Sequence, residues 1–288
     1  MTNLNKDTKI LIVGLGLIGG SYAKALSKKG YHITAITLDE ESIEYAQNEG
    51  IIDSGFAYVH EPSVREADLI IFALYPRVFI DWIAKYQHLI KSGAVITDVT
   101  GVKQSIVYDV QAKLKDEVEF ISAHPMAGRE VFGVQNSDDT MFLGANYIVV
   151  PTERNTEKAI SLCEDLGKEL GFARITRLSP KEHDEMIGFV SQLTHCIAVS
   201  LMTCTDNEHL VKYTGDSFRD LTRIARINED MWAELFMLNK EALITQIDTF
   251  LNELSAFKES IMKEDIKTLK EKMRLSTQRR ALFDKKVK

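Results

Sequence analysis

The 288-residue chain carries 45% apolar residues, enough for a buried core, and its length suits one large or two modest domains. A net charge of −7 at pH 7 and a pI near 5.6 exclude nucleic acid as the main partner. Three cysteines (Cys163, Cys196, Cys204) are too few for a disulfide framework and fit no metal-ligand spacing. Met1–Thr8 is polar and too short for a signal peptide, and no run of about 18 apolar residues stands out as a membrane span. The expectation is a soluble, cytoplasmic, metal-free protein.

The first apolar run, Ile10–Val13, reads as a buried strand, and Gly14-Leu15-Gly16-Leu17-Ile18-Gly19 turns it into a helix. Gly14 allows the tight turn, Gly16 lets backbone approach a pyrophosphate, and Gly19 lets helix pack on strand. The free N–H groups of the helix start then form an anion site. The helix runs from Ile18 to Lys29, where Gly30 ends it. Tyr31–Thr37 is the next strand and Glu40–Asn48 the next helix, closed by Gly50. Asp68–Leu74 is a continuous apolar run of the kind that forms a central parallel strand. Ala94–Asp98 and Val118–Ser122 follow as strands with a helix between them. This alternation predicts an α/β fold, a Rossmann-type, doubly wound parallel sheet, whose ligands lie beyond the carboxyl ends of the strands. The exits to watch are Gly14–Gly20, Leu74-Tyr75-Pro76, Asp98–Lys103 and His124–Gly133.

Ala145–Val150 adds a strand, Asn155–Leu170 an amphipathic helix, and Arg174–Leu178 a last edge strand. Ser179-Pro-Lys-Glu182 then carries a capping box, and only helical periods follow. The boundary is placed there, giving a dinucleotide-binding domain over 1–178 and an all-helical domain over 179–288. Leu243, Ile247, Phe250, Leu254, Phe257 and Ile261 alternate by four and three residues, a narrow seam suited to a partner helix and hence to a homodimer. The charged tail, Lys263–Lys288, reads as a solvated helix.

Three features could carry chemistry. His124, in His124-Pro-Met-Ala-Gly128, follows the strand Val118–Ser122 and sits where a substrate would meet a dinucleotide; it suits proton removal from a hydroxyl. His195 lies mid-helix among apolar neighbours, where a histidine is ordinarily a satisfied core residue. Arg223 stands in a semi-apolar helix start, where it holds a carboxylate of a ligand or pairs with Asp220, three residues earlier.

Gly14-Leu-Gly-Leu-Ile-Gly-Gly-Ser21, Asp98-Val-Thr-Gly-Val-Lys103, His124-Pro-Met-Ala-Gly128, Ser191-Gln-Leu-Thr-His195 and Thr222-Arg-Ile-Ala225 followed by Met231-Trp232 occur in that order. Together they resemble the prephenate/arogenate dehydrogenase family of tyrosine biosynthesis, over residues 8 to 265. The resemblance implies a Rossmann domain joined to a helical dimerisation domain. It also implies NAD(P)-dependent oxidation of the ring 4-hydroxyl of a cyclohexadienyl dicarboxylate, with loss of the ring carboxylate as carbon dioxide. His124 would accept the hydroxyl proton, Arg223 would bind a substrate carboxylate, and His195 would help hold the substrate. Glu130 and Asp220 match acidic positions of an ion-pair gate, and Leu74-Tyr75-Pro76 would flank the nicotinamide.

Three positions depart from the family pattern. Gly101 stands where many members have a serine that touches the 4-hydroxyl, with Thr100 beside it as a possible substitute. Asp216 replaces a glycine in Gly215-Asp-Ser-Phe218; pointing inward it would favour the ammonium of arogenate, and pointing to solvent it would have no such role. Thr37 occupies the end of the second strand, where NAD-specific folds carry an acid about twenty residues past the glycines. Asp39, Glu40 and Glu41 follow and no arginine is near, which favours NAD and leaves NADP open. Prephenate is the expected substrate, with arogenate the alternative. A β-hydroxyacid or imine reductase on the same scaffold uses a lysine or other donor on the long helix, where this chain has His195, and a non-catalytic nicotinamide-sensing dimer needs neither His124 nor Arg223.

Overall fold

A strand that is apolar at every position buries both faces, and the centre of the first sheet is built from such strands. In the computed structural model, which describes residues 4–206 and 209–283, the chain forms β1 (Ile10–Val13), α1 (Leu17–Ser27), β2 (Ile33–Ile36), α2 (Glu40–Asn48), β3 (Ser54–Phe56), α3 (Glu61–Glu66), β4 (Leu69–Phe72), α4 (Pro76–Tyr86), β5 (Val95–Asp98), α5 (Gln104–Lys113) and β6 (Glu119–Phe120). These six strands make one parallel sheet in the order β3-β2-β1-β4-β5-β6. Ile10 and Ile12 of β1 enter one apolar cluster while Leu11 and Val13 enter another, because successive side chains leave a strand on opposite faces. The expected Rossmann-type sheet is present. β3 and α3 carried no expectation: Ser54-Gly55-Phe56 has no apolar run, and its pairing with β2 decides it.

The expected strand Val118–Ser122 is corrected. It splits into β6 and a separate strand, β7 (Ser122–Met126), which pairs antiparallel with β8 (Asn146–Val150). After α6 (Glu157–Glu169), β9 (Arg174–Arg177) pairs parallel with β8, completing a three-stranded second sheet. His124 therefore lies inside β7, opposite Ile148, and not just past the end of a parallel strand. Pro125 reads as a strand terminator, yet it is tolerated because β7 is the edge of its sheet and no ladder donor is required there.

The capping box of α7 (Pro180–Ile187) is complete, with Ser179 and Glu182 each bonding the other's backbone N–H. One turn of π-helix, Gly188–Leu193, joins it to α8 (Thr194–Thr203). Residues 180–203 reach a mean hydropathy of 1.4 over a span-length window, so by length and composition this helix passes for a membrane span, contrary to the expectation that no stretch would. Its buried His183, Asp184 and Gln192, each hydrogen-bonded, mark it instead as a helix of a folded unit. α9 (Asp216–Thr222) and α10 (Glu229–Leu238) follow, and from α7 onward the described residues contain no strand.

By contacts the chain divides into Met1–Lys240 and Glu241–Lys288. The second unit is α11, which begins at Lys240 and runs to Met262, and α12 (Ile266–Arg280), hinged at Glu264 in the left-handed region and tied by Lys272 to Glu253 at 2.5 Å. Leu254 and Ile261 of the expected seam are exposed. The charged tail is helical as far as Arg280, and residues 284–288 lie outside the described residues.

Candidate active site

Three glycines shape the exit of β1 by three different constraints. Gly14 has φ 99°, and a Cβ there would sit 2.3 Å from the Ala73 carbonyl oxygen. At Gly19 a Cβ would lie 2.0 Å from the Gly14 carbonyl oxygen, so no other residue lets α1 approach this closely. Gly16 is exposed, with nothing within 4 Å of its would-be Cβ, so the space above it is open to an approaching group. Gly16 also caps α1, whose first turn carries no acid and no side-chain cap, leaving its N–H groups to an anion. These features fit a dinucleotide pyrophosphate.

Beyond the ends of β4 and β5 a buried polar cluster begins. Asp98, fully buried at the end of β5, accepts hydrogen bonds from the Ser122 hydroxyl at 2.5 Å and the Lys103 ammonium at 2.9 Å. Burial opposes its charge, but the ammonium and the hydroxyls of Ser122 and Thr100 outweigh it and hold the carboxyl below its usual range. Lys103 Nζ also donates to the Ala123 carbonyl at 2.7 Å, fastening the start of α5 to β7.

A second line of groups leads from this cluster to His124. Asp184 accepts the backbone N–H groups of Lys103 and Gln104, both at 2.8 Å, and faces His183 Nδ1 at 2.8 Å. A carboxylate only accepts, so His183 carries its proton on Nδ1. Its Nε2 therefore accepts from His124 Nδ1, 2.9 Å away, which leaves His124 Nε2 as a free acceptor. Burial, then the nearby His183 and Lys103, push the His124 pKa well below the usual histidine value, so the ring is neutral at pH 7 and its Nε2 lone pair is open to a proton. Burial pushes Asp184 up to about 6 against the two backbone bonds.

His124 lines a cavity of about 1170 Å³ that reaches from the glycine loop to α10. Gly16, Leu17, Ile18, Gly19, Leu74, Tyr75, Pro76, Thr100, Gly101, Glu130 and His195 line it too. Gly14 and Leu15 are buried beneath it, and Thr37 is not in its wall; the Thr37 backbone bonds the Phe56 carbonyl. His195 Nδ1 donates to the Ser191 carbonyl at 2.9 Å, and the ring stacks on Trp232 with centroids 3.7 Å apart. It is thus a wall residue, aimed by the π-turn before α8, and not a core histidine.

Several expectations need correction. Thr100 cannot offer a free hydroxyl, because Asp98, the Val102 carbonyl and Lys103 already engage it. Asp216 is 93% exposed, pairs with Arg219 at 3.2 Å and does not line the cavity, so the structure does not aim it at a substrate. Asp220 is not the partner of Arg223; Glu130 is, at 3.0 Å, because the loop after β7 reaches across to α9. Arg223 itself is outside the cavity wall. Lys103, His183 and Asp184, though carrying no expected role, hold the catalytic candidate in place. In the sequence, Lys103 closes the Asp98–Lys103 motif, while His183 and Asp184 show only as an adjacent pair one turn into a capped helix.

Residues 22–176 match the family model for the prephenate dehydrogenase nucleotide-binding domain, and residues 179–275 the model for its dimerization domain. The chain belongs to the prephenate dehydrogenase family. It is 36% identical over 265 residues to the prephenate dehydrogenase of Lactococcus lactis, covering 89% of this chain and 72% of that protein. Against the prephenate dehydrogenase of Bacillus subtilis it is 32% identical over 275 residues, with 93% and 73% covered. The crystal structure of prephenate dehydrogenase from Aquifex aeolicus in complex with hydroxyphenyl propionate and NAD+ matches with a TM-score of 0.88 at 32% identity, covering 96% of this chain and 98% of that one. As a member of the prephenate dehydrogenase family the chain is an oxidoreductase with a nucleotide-binding domain, which accords with the glycine loop and the neutral histidine sharing one cavity.

Proposed function

We propose that the chain oxidises prephenate with NAD and releases the ring carboxylate as carbon dioxide, giving 4-hydroxyphenylpyruvate. The observation that carries this reading is the line Asp184–His183–His124, which presents a neutral imidazole with one acceptor nitrogen to the cavity. His124 Nε2 takes the proton of the ring 4-hydroxyl. When bound, the nicotinamide supplies the acceptor for the hydride that leaves C4. With a carbonyl formed at C4, the bond from C1 to the carboxylate breaks and its electron pair moves through the ring to that oxygen. Aromatisation drives this last step.

Gly16 and the α1 N–H groups would hold the pyrophosphate, and Leu74, Tyr75 and Pro76 would flank the nicotinamide. Asp39, Glu40 and Glu41 beyond Thr37 oppose a 2′-phosphate, which supports NAD over NADP. His195 and Trp232 would bound the substrate ring. The Arg223–Glu130 pair would be the gate, and Arg223 reaches a substrate carboxylate only after leaving Glu130; Asp220 would take up the freed guanidinium. In this reading residues 1–178 bind the nucleotide, while 179–288 complete the substrate pocket and form a homodimer along the α11 seam. Three free thiols support a reducing, cytoplasmic setting.

The test is nicotinamide absorbance with prephenate or arogenate, each crossed with NAD and NADP. Turnover of prephenate with NAD is expected. Turnover of arogenate alone would move the substrate assignment, and silence in all four combinations would overturn the reading.

A further inference from the structure

Four fully charged side chains line the cavity: Arg129, Glu130, Arg226 and Glu229. Arg129 is held by Asp138 at 2.5 Å, and Glu130 by Arg223 at 3.0 Å. Arg226 has no hydrogen bond or ion pair with any described residue, so its guanidinium is the cavity cation that no acid neutralises. Glu229 also lacks an ion pair, but it stands in the first turn of α10, where the positive helix end offsets its charge.

The position of Arg226 just before α10 decides what it can reach. Leu235 marks the histidine end of the cavity, since a Cβ on Gly101 would lie 3.7 Å from Leu235 and 3.9 Å from His124 Cε1. Glu229 is six residues nearer the helix start, about 9 Å along the axis at 1.5 Å per residue. Trp232, stacked on His195, lies between them. Arg226 lines the cavity from two residues before the cap residue Asn228, so it belongs not with the Leu235 end of α10 but with the Glu229 end. A six-membered ring with its 4-hydroxyl on His124 directs its C1 substituents, both ending in carboxylates, toward that end.

We propose that Arg226 binds the side-chain carboxylate of the substrate, the one that survives the reaction. This assignment rests on the reading of the substrate as a cyclohexadienyl dicarboxylate. The ring carboxylate departs as neutral carbon dioxide. An ion pair to it would stabilise the ground state and be lost as charge leaves, opposing the chemical step. The side-chain carboxylate keeps its charge throughout, so a guanidinium there adds affinity without slowing decarboxylation. Arg226 also needs no prior bond broken, whereas Arg223 must first release Glu130.

The experiment compares the parent with Arg226→Gln and Arg226→Lys in two ways. In steady state with prephenate and NAD, Arg226→Gln should raise KM for prephenate about ten- to a hundredfold, the worth of a charged hydrogen-bonded contact. Its kcat and its KM for NAD should stay near parental values, and Arg226→Lys should recover part of the loss. By calorimetry on the NAD-loaded protein, 3-(4-hydroxyphenyl)propionate, which has only a side-chain carboxylate, should bind the parent more tightly than the neutral 3-(4-hydroxyphenyl)propan-1-ol. Arg226→Gln should erase that difference. A KM for prephenate within twofold of the parent, or an acid-over-alcohol preference that survives in Arg226→Gln, would overturn the proposal. A higher KM with unchanged propionate binding would assign Arg226 to the ring carboxylate instead, and so would also overturn it. Absence of prephenate turnover in the parent would strike the substrate reading alone, because the calorimetric arm still reports on Arg226.

Discussion

At one end of the cavity Gly14, Gly16 and Gly19 contribute backbone and open space; at the other, His124 depends on side chains from β5, β7, the start of α5 and α7. The nucleotide end tolerates almost any neighbour provided that no Cβ intrudes. The histidine end needs every partner, because a buried polar group without one is strongly disfavoured. Backbone suits a ligand common to many enzymes, whereas side chains tune a single proton transfer.

The largest expected effect lies at the histidine end. His124→Asn should lower kcat by roughly 10²–10⁴-fold, the range for removing a general base, with KM for NAD little changed. Parental turnover would break the contrast between the two ends. His183→Gln should lower kcat by about ten- to a hundredfold. Since His183 is one of the groups that push the His124 pKa down, its removal lets that pKa rise, and the acid limb of kcat/KM against pH should move to higher pH. An unmoved limb would show that the two rings are not electrostatically linked.

At the nucleotide end, two substitutions separate fold from binding. Gly19→Ala must displace the Gly14 backbone, so Tm should fall by roughly 5 °C or more. Gly16→Ala meets nothing, so Tm should hold while KM for NAD rises about tenfold. Equal losses of Tm in both would contradict the distinct roles of these glycines.

The smallest effect is on stability against pH. His124 and His183 have pKa values well below normal when folded, so the unfolded chain binds more protons and stability rises with pH up to about 6.5. Asp184, raised to about 6, acts oppositely: between about 4 and 6 the folded chain binds more protons and stability falls as pH rises. Asp184→Asn removes the opposing contribution, so its Tm should climb more steeply with pH over that window than the parent's. A shallower climb would show that the carboxyl is not raised.

How far the sequence reveals each region follows from the same contrast. Ile10–Val13 and the glycines are contiguous, so apolar run, turn and helix start could be read together, and the structure keeps each of them. The capping box at Ser179 and the glycine ends at Gly30 and Gly50 are equally local and equally present. β7 was not legible, because Pro125 looks like a stop until β8 shows that this strand is an edge. Asp216 was singled out as a departure from the family pattern and Arg223 by its semi-apolar helix start, and neither ground says which way an exposed side chain turns or that Glu130 is closer than Asp220.

The sequence by itself determined the parallel sheet, its crossovers and the glycine loop, because hydrophobic period and glycine sterics act within a few residues. Tertiary structure alone decided the tautomer of His124, the engagement of the Thr100 hydroxyl and which arginines line the cavity. The tautomer rests on hydrogen bonds between segments as far apart as Lys103 and Asp184, and the withdrawal of Arg223 on its ion pair with Glu130, which no local pattern encodes; the Thr100 contacts are local, but which of them form is set by the fold.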